Sequence, residues 1–401
     1  MPARQDAVRL GGKLAIVLFI ATLCAFVSES QLTQYVQTTL GYRRPFFLFY
    51  IVHSSLSIIF PLHLFYLCAT TEETASSYLK GLSLAITDRL SPSKTTISTT
   101  FPYYAFARQL FFMFSGLTFP GLLWFAAISL ASISDVTAIW NTNAFFAYIL
   151  SIKLFHMPWE PKRLFSVLLA TFGVAIVVYG GSTHTNSTEP ANAGIQTTTV
   201  PSAPLAGDLL TLAASIGYGL YQVLYKKYVA LPSDPELASD QQYRLVQNDD
   251  VEPASYGTST TEADKRAAVY PPPFGLHPSL VTSGIGFLTL VILWIPLPIL
   301  HYLEIEHFKL PDNLKTVFAI AGISVSGVIF NTGFMILLGL WGPIITSVGS
   351  LLTIVLVSIS DVVFGGGVQD FTLLGVIGCS VITAAFSVLA YDMFKKNLHV
   401  A

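Results

Sequence analysis

The feature that most constrains this chain is a series of long segments without a single Asp, Glu, Lys or Arg. Nine such runs that are also predominantly apolar occur, at 14–28, 45–71, 109–134, 136–152, 164–188, 209–225, 267–303, 316–360 and 371–391. About 20 apolar helical residues cross the hydrocarbon core of a membrane, and a charge at its centre costs on the order of 3 kcal/mol. Only 11% of the 401 residues are charged, against roughly 25% in soluble domains. The sequence therefore predicts an all-α integral membrane protein.

The nine runs predict ten transmembrane helices. The run 316–360 is long enough for two spans and carries the helix-breaking pair Gly342-Pro343 near its middle. The run 267–303 is assigned one span, because its first third is polar and contains three consecutive prolines. Glycines and prolines in the other runs are compatible with membrane helices, since neighbouring helices can satisfy the backbone groups that they free.

The distribution of basic residues predicts the orientation. With the N-terminus in the cytosol, 17 of the 21 Lys and Arg fall on the cytosolic side, which places both termini there. The sequon that begins at Asn186 then lies on the lumenal side, so we expect Asn186 to be a glycosylation site. The first run follows a basic segment, as in a signal peptide, but lacks a small-residue cleavage site. We therefore expect it to be retained as a helix.

Two polar segments divide the predicted helices. Residues 182–206 are rich in Ser, Thr and Pro, and residues 229–275 mix charges with Pro and Ser without apolar periodicity, as in a disordered linker. The predicted organisation is a cytosolic N-terminus at 1–13, a first five-helix repeat at 14–181, a lumenal loop at 182–206, a second five-helix repeat at 207–394 interrupted by the disordered cytosolic linker at about 229–275, and a cytosolic tail at 395–401.

A weak internal similarity supports the two repeats. A shift of 208 positions aligns residues 134–154 with 342–362, both apolar and punctuated by Ser, Thr or Asn. Because five spans is an odd number, a duplicated unit must insert its second copy upside down, and inverted repeats are typical of secondary transporters. The expected fold is thus ten transmembrane helices arranged as two inverted five-helix repeats.

Several short motifs occur in one order along the chain. They are Ser28-Glu29-Ser30-Gln31-Leu32 followed by Pro45-Phe46-Phe47, Ser134-Asp135-Val136-Thr137-Ala138-Ile139 followed by Asn143-Ala144-Phe145, Tyr221-Gln222-Val223-Leu224-Tyr225-Lys226, and Phe330-Asn331 followed by Pro343, Gly349 and Asp361. Together they resemble the drug/metabolite transporter superfamily with its EamA-type repeats, and within it the F branch of solute carrier family 35. Gln222 departs from the pattern, which has lysine there. The resemblance implies a thiamine-like solute, or a nucleotide sugar as in the wider family, and an internal membrane such as the vacuole or Golgi.

Polar side chains within the uncharged runs are the candidates for a substrate site, because such groups at membrane depth are costly unless they are used. Some of these residues share one face of a predicted helix and others belong to the motifs above. The candidate substrate-binding residues are Gln31, Asp135, Asn141, Tyr148, Tyr218, Tyr221, Asn331 and Ser350. Glu29 and Gln31 are expected to end the first helix, with Glu29 solvated at the interface. We predict that Asn141 and Asn331 face one another across a cavity between the repeats.

Structural interpretations remain open for these residues. Asp135 could cap a helix N-terminus, and each Asn could bond a neighbouring helix. Tyr218 and Tyr221 could belong to an aromatic belt at the interface.

The function classes are narrowed by what the sequence lacks. It has no Ser/His/Asp, HExxH, GxGxxG or P-loop pattern, and His53 and His63 are not at metal-ligand spacing. We therefore expect no enzyme activity, no cofactor, no metal and no nucleic-acid partner. The prediction is a non-ATP secondary transporter of a small organic solute, with a metabolite antiporter and a membrane-embedded enzyme or scaffold as alternatives. Lipid and a small-molecule substrate are the expected partners, and a homodimer is left open.

Overall fold

The computed structural model describes residues 12–90, 101–131, 136, 139–156, 159–182, 204–231, 269, 271–356 and 373–400. These residues form helices and connecting turns, with no strand among them. The helices of the first half are α1 (Gly12–Gln34), α2 (Pro45–Ser54), α3 (Ile59–Thr70), α4 (Ala75–Leu90), α5 (Tyr103–Leu130), α6 (Asn143–Phe155) and α7 (Pro161–Ser182). Those of the second half are α8 (Pro204–Leu224), α9 (Leu276–Ile292), α10 (Pro296–Tyr302), α11 (Leu314–Ser350) and α12 (Leu373–Val400).

The helices overlap all nine uncharged runs. In the described part of the chain, four segments are long and apolar enough to cross a membrane one by one: 14–37, 45–70, 103–128 and 314–350. The pair α9 and α10, bent by 42°, would make a fifth. The chain is therefore a polytopic membrane protein, while the count of ten spans stays a prediction.

Four of the helical segments depart from a regular α-helix, two at an internal interruption and two at their ends. α11 is broken at Gly342, whose φ of 77° lies in the left-handed region that glycine tolerates, and the break predicted at Gly342-Pro343 is thus confirmed. A 3₁₀ segment, Ser55–Ile58, separates α2 from α3. Single π-helical turns follow α1 at Tyr35–Thr39 and α8 at Tyr225–Val229.

The expectation that Glu29 and Gln31 end the first helix is wrong. α1 continues through both residues to Gln34 and then into its π-helical turn. Glu29 lies against α11, where a Cβ added to Gly327 would be 3.0 Å from its Oε1, and a carboxylate packed on protein is less costly at membrane depth than one facing lipid.

The packing pairs recur between the two halves. α1 packs on α11, and the corresponding pair is α5 on α8. α2 also packs on α11, and the corresponding pair is α5 on α9. α7 packs on α12, a pair that is its own counterpart. A further correspondence involves α6, which packs on α8. Its counterpart is the contact of α1 with the segment after Gly342, where Phe19 lies against Gly349. Each packing pair therefore has a counterpart, which is found by exchanging predicted spans one to five for predicted spans six to ten.

The buried side chains form two main groups. The central cluster is contributed by α2, α5, α8, α9 and α11 and includes Tyr218, Tyr221 and Phe334. The lateral cluster is formed by α6, α7, α12 and the segment after Gly342, and includes Tyr148 and Val348. The residues considered next lie at or near the central cluster.

Candidate functional site

A chain of aromatic rings connects α1, α11, α8, the residues before α6, and α5. The distances between ring centres are 4.8 Å for Phe26–Phe330, 5.6 Å for Phe330–Phe334, 5.8 Å for Phe334–Tyr218, 4.9 Å for Tyr218–Trp140 and 6.2 Å for Trp140–Trp124. Adjacent rings lie within the 4.5–7 Å range typical of interacting aromatic pairs. Rings from both halves of the chain therefore form one continuous aromatic surface, which we call the aromatic chain.

One carboxylate stands beside the aromatic chain. Glu29 is partly buried, and a Cβ added to Gly327 of α11 would lie only 3.0 Å from its Oε1. Glu29 lies three residues after Phe26 on α1, and Gly327 lies three residues before Phe330 on α11, so the carboxylate is one helical turn from the Phe26–Phe330 ring pair. Within the described ranges no Lys or Arg forms an ion pair with Glu29. A carboxylate among aromatic faces is the arrangement that attracts an organic cation.

Asn331 lies one helical turn from the glycine that Glu29 contacts. Its Nδ2 donates a 2.9 Å hydrogen bond to the Gly327 carbonyl oxygen of the same helix. Because residues four apart share a helix face, Asn331 and the Glu29 contact lie on one face of α11. Phe330 of the aromatic chain immediately precedes Asn331 in sequence.

A second polar group is an amide network between α6, α8 and the segment after Gly342. Gln222 is fully buried, and its Nε2 donates to Asn143 Oδ1 at 3.2 Å. Its Oε1 accepts from the Ser347 hydroxyl, which also lies within bonding distance of the Pro343 carbonyl. Asn143 Nδ2 in turn donates to the Trp140 carbonyl at 2.7 Å. We call these residues the amide network.

The two ends of the bundle are held by different contacts. At the lysine end, Lys226 donates to the Gly339 carbonyl, Lys227 to the Leu154 carbonyl at 2.7 Å, and Arg89 of α4 to the Lys227 carbonyl. Burial lowers the pKa of Arg89 from its ordinary value, but a guanidinium stays charged at neutral pH.

At the glutamate end, the Glu306 carboxylate accepts from the backbone N–H groups of Phe46 and Phe47, each at 2.9 Å. It thereby satisfies the first N–H groups of α2, where a negative charge is also favoured by the helix dipole. The Tyr42 hydroxyl donates to the Lys309 carbonyl at 2.6 Å, and burial raises the pKa of Tyr42 to about 12. The connection before α11 is therefore attached to the start of α2.

The structure brings together only some of the predicted site residues. Tyr218 and Tyr221 lie in the central cluster, where the Tyr221 hydroxyl donates to the Met335 sulfur at 3.0 Å. Tyr148 lies in the lateral cluster, and its hydroxyl donates to the Glu160 carbonyl. Ser350 donates to the Ser347 carbonyl of its own segment.

The remaining site predictions stay predictions. Gln31 is partly buried, and Asn141 is buried within the short helical stretch before α6. The Asn331 hydrogen bond to Gly327 neither places it opposite Asn141 nor prevents this. Asp135 and Asn186 lie outside the described residues.

The sequence analysis missed Glu29, Gln222 and the aromatic chain as site features. A carboxylate five residues before the last residue of α1 is the available signal for Glu29, but the same charge also ends an uncharged run, which predicts the end of the first span there. Trp140 and Tyr218 are among the aromatic residues that the sequence offers to a cationic solute. Their connection to the other four rings has no sequence signal, since the six rings come from distant segments.

The comparisons were made with known proteins and solved structures. No family profile matches the chain. The chain is 23% identical over 372 residues to a thiamine-repressible mitochondrial transport protein of Saccharomyces cerevisiae, covering 87% of this chain and 84% of that protein. It is 23% identical over 284 residues to an uncharacterized transporter of Schizosaccharomyces pombe, covering 68% and 66%.

The fold also resembles a solved crystal structure. The TM-score is 0.53 at 12% sequence identity, over 94% of this chain and 96% of the other. This likeness concerns the fold alone. The distant relatives carry the names of transporters, and they support a transport function for this multi-pass membrane protein.

Proposed function

We propose that the chain is a secondary transporter that moves a small organic solute by alternating access. In this proposal ten transmembrane helices form two inverted five-helix repeats of the EamA type, as in solute carrier family 35. The recurring packing pairs and the π-helical turns after both α1 and α8 support the repeats. The transporter names of the yeast relatives support the activity.

The proposed solute is an organic cation with a planar ring, of the kind that thiamine represents. The observation that carries this proposal is Glu29, a carboxylate without a basic partner among the described residues, beside the aromatic chain. Aromatic faces and one carboxylate together attract a delocalised cation. The substrate-binding residues in this proposal are Glu29, Trp140, Tyr218, Phe330 and Asn331.

A nucleotide sugar fits this site less well. Its diphosphate needs Lys or Arg donors, whereas Lys226, the basic residue nearest the site in sequence, already donates to the Gly339 carbonyl at the end of α8. The uptake experiment distinguishes the proposed transporter from a metabolite antiporter of this kind and from an enzyme or scaffold without transport.

The orientation and compartment are further parts of the proposal. The basic residues support cytosolic termini and a lumenal Asn186. An internal membrane is proposed, with the vacuole or Golgi implied by the family resemblance, whereas the Saccharomyces relative carries the word mitochondrial in its name. Fluorescence microscopy of a tagged copy separates these membranes, and a tag found only at the plasma membrane excludes all of them.

The experiment is uptake of radiolabelled thiamine into proteoliposomes, with and without unlabelled thiamine inside. A transporter of organic cations gives saturable uptake that an internal load accelerates. Uptake of a labelled nucleotide sugar in place of thiamine would favour the antiporter alternative. No uptake of either solute by protein that elutes as a folded species would count against transport of both classes.

A further inference from the structure

A side chain of α9 bonds the backbone at the interruption between α2 and α3. Phe60 N–H donates to the Ser283 hydroxyl of α9 at 2.8 Å, while the Leu56 carbonyl accepts from the Ile59 N–H in a 3₁₀ bond. In a continuous α-helix the Phe60 N–H would bond the carbonyl four residues earlier, that of Leu56. The Ser283 hydroxyl lies 3.1 Å from that same Leu56 oxygen. A side chain from another helix is thus inserted into the hydrogen-bond ladder, a recognised cause of helix interruption.

Proline determines why the interruption lies here. Pro61 has no N–H, so the Ser57 carbonyl loses the partner that residue 61 would otherwise supply. The Ser283 hydroxyl lies 2.8 Å from the Ser57 oxygen and can donate to it. One hydroxyl proton therefore has two acceptors, Leu56 O and Ser57 O, while its oxygen accepts from Phe60. The segment 55–61, with Ser283, is called the helix-2 hinge below.

Close approach of the two backbones makes this contact possible. A Cβ at Gly286 would lie 2.4 Å from Ser57 N and 2.7 Å from the Leu56 carbonyl carbon. Any side chain at 286 would therefore push α9 away, and Ser283, one turn earlier on the same face, would lose its position. A second crossing bond, His63 Nδ1 to Ser279 Oγ at 2.9 Å, continues the contact along α3.

We propose that the helix-2 hinge is a two-position device whose state depends on where α9 lies. With the Ser283 hydroxyl inserted, residues 55–58 are 3₁₀-helical. When α9 withdraws, the Leu56 carbonyl exchanges the Ile59 N–H for the Phe60 N–H, and residues 55–58 become α-helical while the kink that Pro61 imposes is retained. A 3₁₀-helix turns about 120° per residue and an α-helix about 100°, so four residues change by roughly 80°. The change rotates α3 about its axis relative to α2.

This inference rests on the proposed function for its purpose, because alternating access requires helices that change position around a fixed site. α3 packs on α4, and Arg89 at the end of α4 donates to the carbonyl of Lys227 at the lysine end. Rotation of α3 would thus reach the lysine end through α4. The hinge itself is testable without any transport measurement.

The test measures the distance between spin labels on Phe65→Cys and Phe112→Cys, both exposed positions, after the native cysteines are replaced by serine. Ser283→Ala removes the inserted hydroxyl, and a shift of several Å in the main distance is expected. Pro61→Ala restores an N–H for the Ser57 carbonyl and is expected to shift the distance in the same direction. Thr282→Val is the matched control, because the Thr282 hydroxyl bonds the Pro278 carbonyl of its own helix, outside the helix-2 hinge, and it should leave the distance unchanged.

Identical distance distributions for wild type and both hinge variants would overturn the proposal. If Ser283→Ala does not fold, Pro61→Ala alone decides. In the transport arm, Ser283→Ala should slow thiamine counterflow at least fivefold without changing the affinity for thiamine by more than twofold. If wild-type protein carries no thiamine, the proposed function fails for that solute, whereas the distances still decide on the hinge.

Discussion

The Glu29 region and the amide network contain polar side chains inside the same bundle but satisfy them in opposite ways. In the network, both ends of the Gln222 amide are bonded, one to Asn143 and one to Ser347. Glu29 instead contacts Gly327 of α11, one helical turn from the Phe26–Phe330 ring pair, with no basic partner among the described residues. Buried polar groups that are fully bonded stabilise a fold, whereas an ionisable one without a partner is retained for function. The comparison therefore favours a structural role for the amide network and supports the proposal that the Glu29 region binds the solute.

The largest expected effect is on transport, from Glu29→Gln. A hydrogen bond to a charged group contributes about 1.5–3 kcal/mol, which corresponds to roughly a 10- to 100-fold change in binding. We expect thiamine uptake to fall by this factor while the melting temperature of the protein stays the same or rises. Proteoliposome uptake and a thermal unfolding assay measure the two effects.

Glu304→Gln is the matched control for that prediction, because Glu304 is exposed in the connection after α10. Its uptake should equal that of wild type. If Glu29→Gln also transports normally, the carboxylate does not bind the solute. The proposed contrast between a binding role for Glu29 and a structural role for the amide network would then be wrong.

The next largest effect is on stability, from Gln222→Leu. The substitution removes two hydrogen bonds and leaves Asn143 and Ser347 without those partners, at a cost of roughly 1–2 kcal/mol after partial repacking. We expect a lower melting temperature in detergent, with the remaining folded protein still able to bind thiamine. Unchanged stability together with lost binding would mean that Gln222 belongs to the substrate site.

A smaller effect is expected from Asn331→Leu and Asn141→Leu. In a cavity role, each amide contributes a neutral hydrogen bond to the solute, worth about 0.5–1.5 kcal/mol, or up to roughly tenfold in uptake. The melting temperature should change little, because Asn331 bonds only a carbonyl of its own helix among the contacts found. Loss of uptake that tracks loss of folded protein would identify both amides as structural.

The smallest perturbation tests the orientation rather than the site. A single cysteine at residue 250, in the predicted cytosolic linker, should react with an impermeant maleimide from the cytosolic side. We expect labelling in intact vesicles only when that side faces outward. Labelling from the lumenal side alone would reverse the proposed topology and exchange the sides assigned to the lysine and glutamate ends.

The helices were predictable where a local rule governs them. Uncharged runs located the helical segments, and Gly342-Pro343 marked the break in α11, because backbone chemistry decides both. Glu29 was misplaced because a charge was taken as the end of a span, although packing against Gly327 allows the helix to continue. Prolines in the uncharged runs are expected to free backbone carbonyls, but only the structure shows that the Ser57 carbonyl, which Pro61 leaves without its helical partner, is bonded by Ser283, 226 positions away. The amide network likewise depends on three helices meeting.

The central claim, that Glu29 and the aromatic chain hold the solute, is tested most directly by tryptophan fluorescence during thiamine titration. Trp140 stacks near Tyr218 in the aromatic chain, whereas Trp294 is more than half exposed on the surface of the bundle. The account predicts that thiamine quenches the fluorescence saturably. Trp140→Phe should remove most of this quenching, and Trp294→Phe should leave it intact. In Glu29→Gln, the thiamine concentration at half-maximal quenching should be at least tenfold higher. Quenching with the same midpoint in wild type and Glu29→Gln, and with the same amplitude in Trp140→Phe, would contradict it.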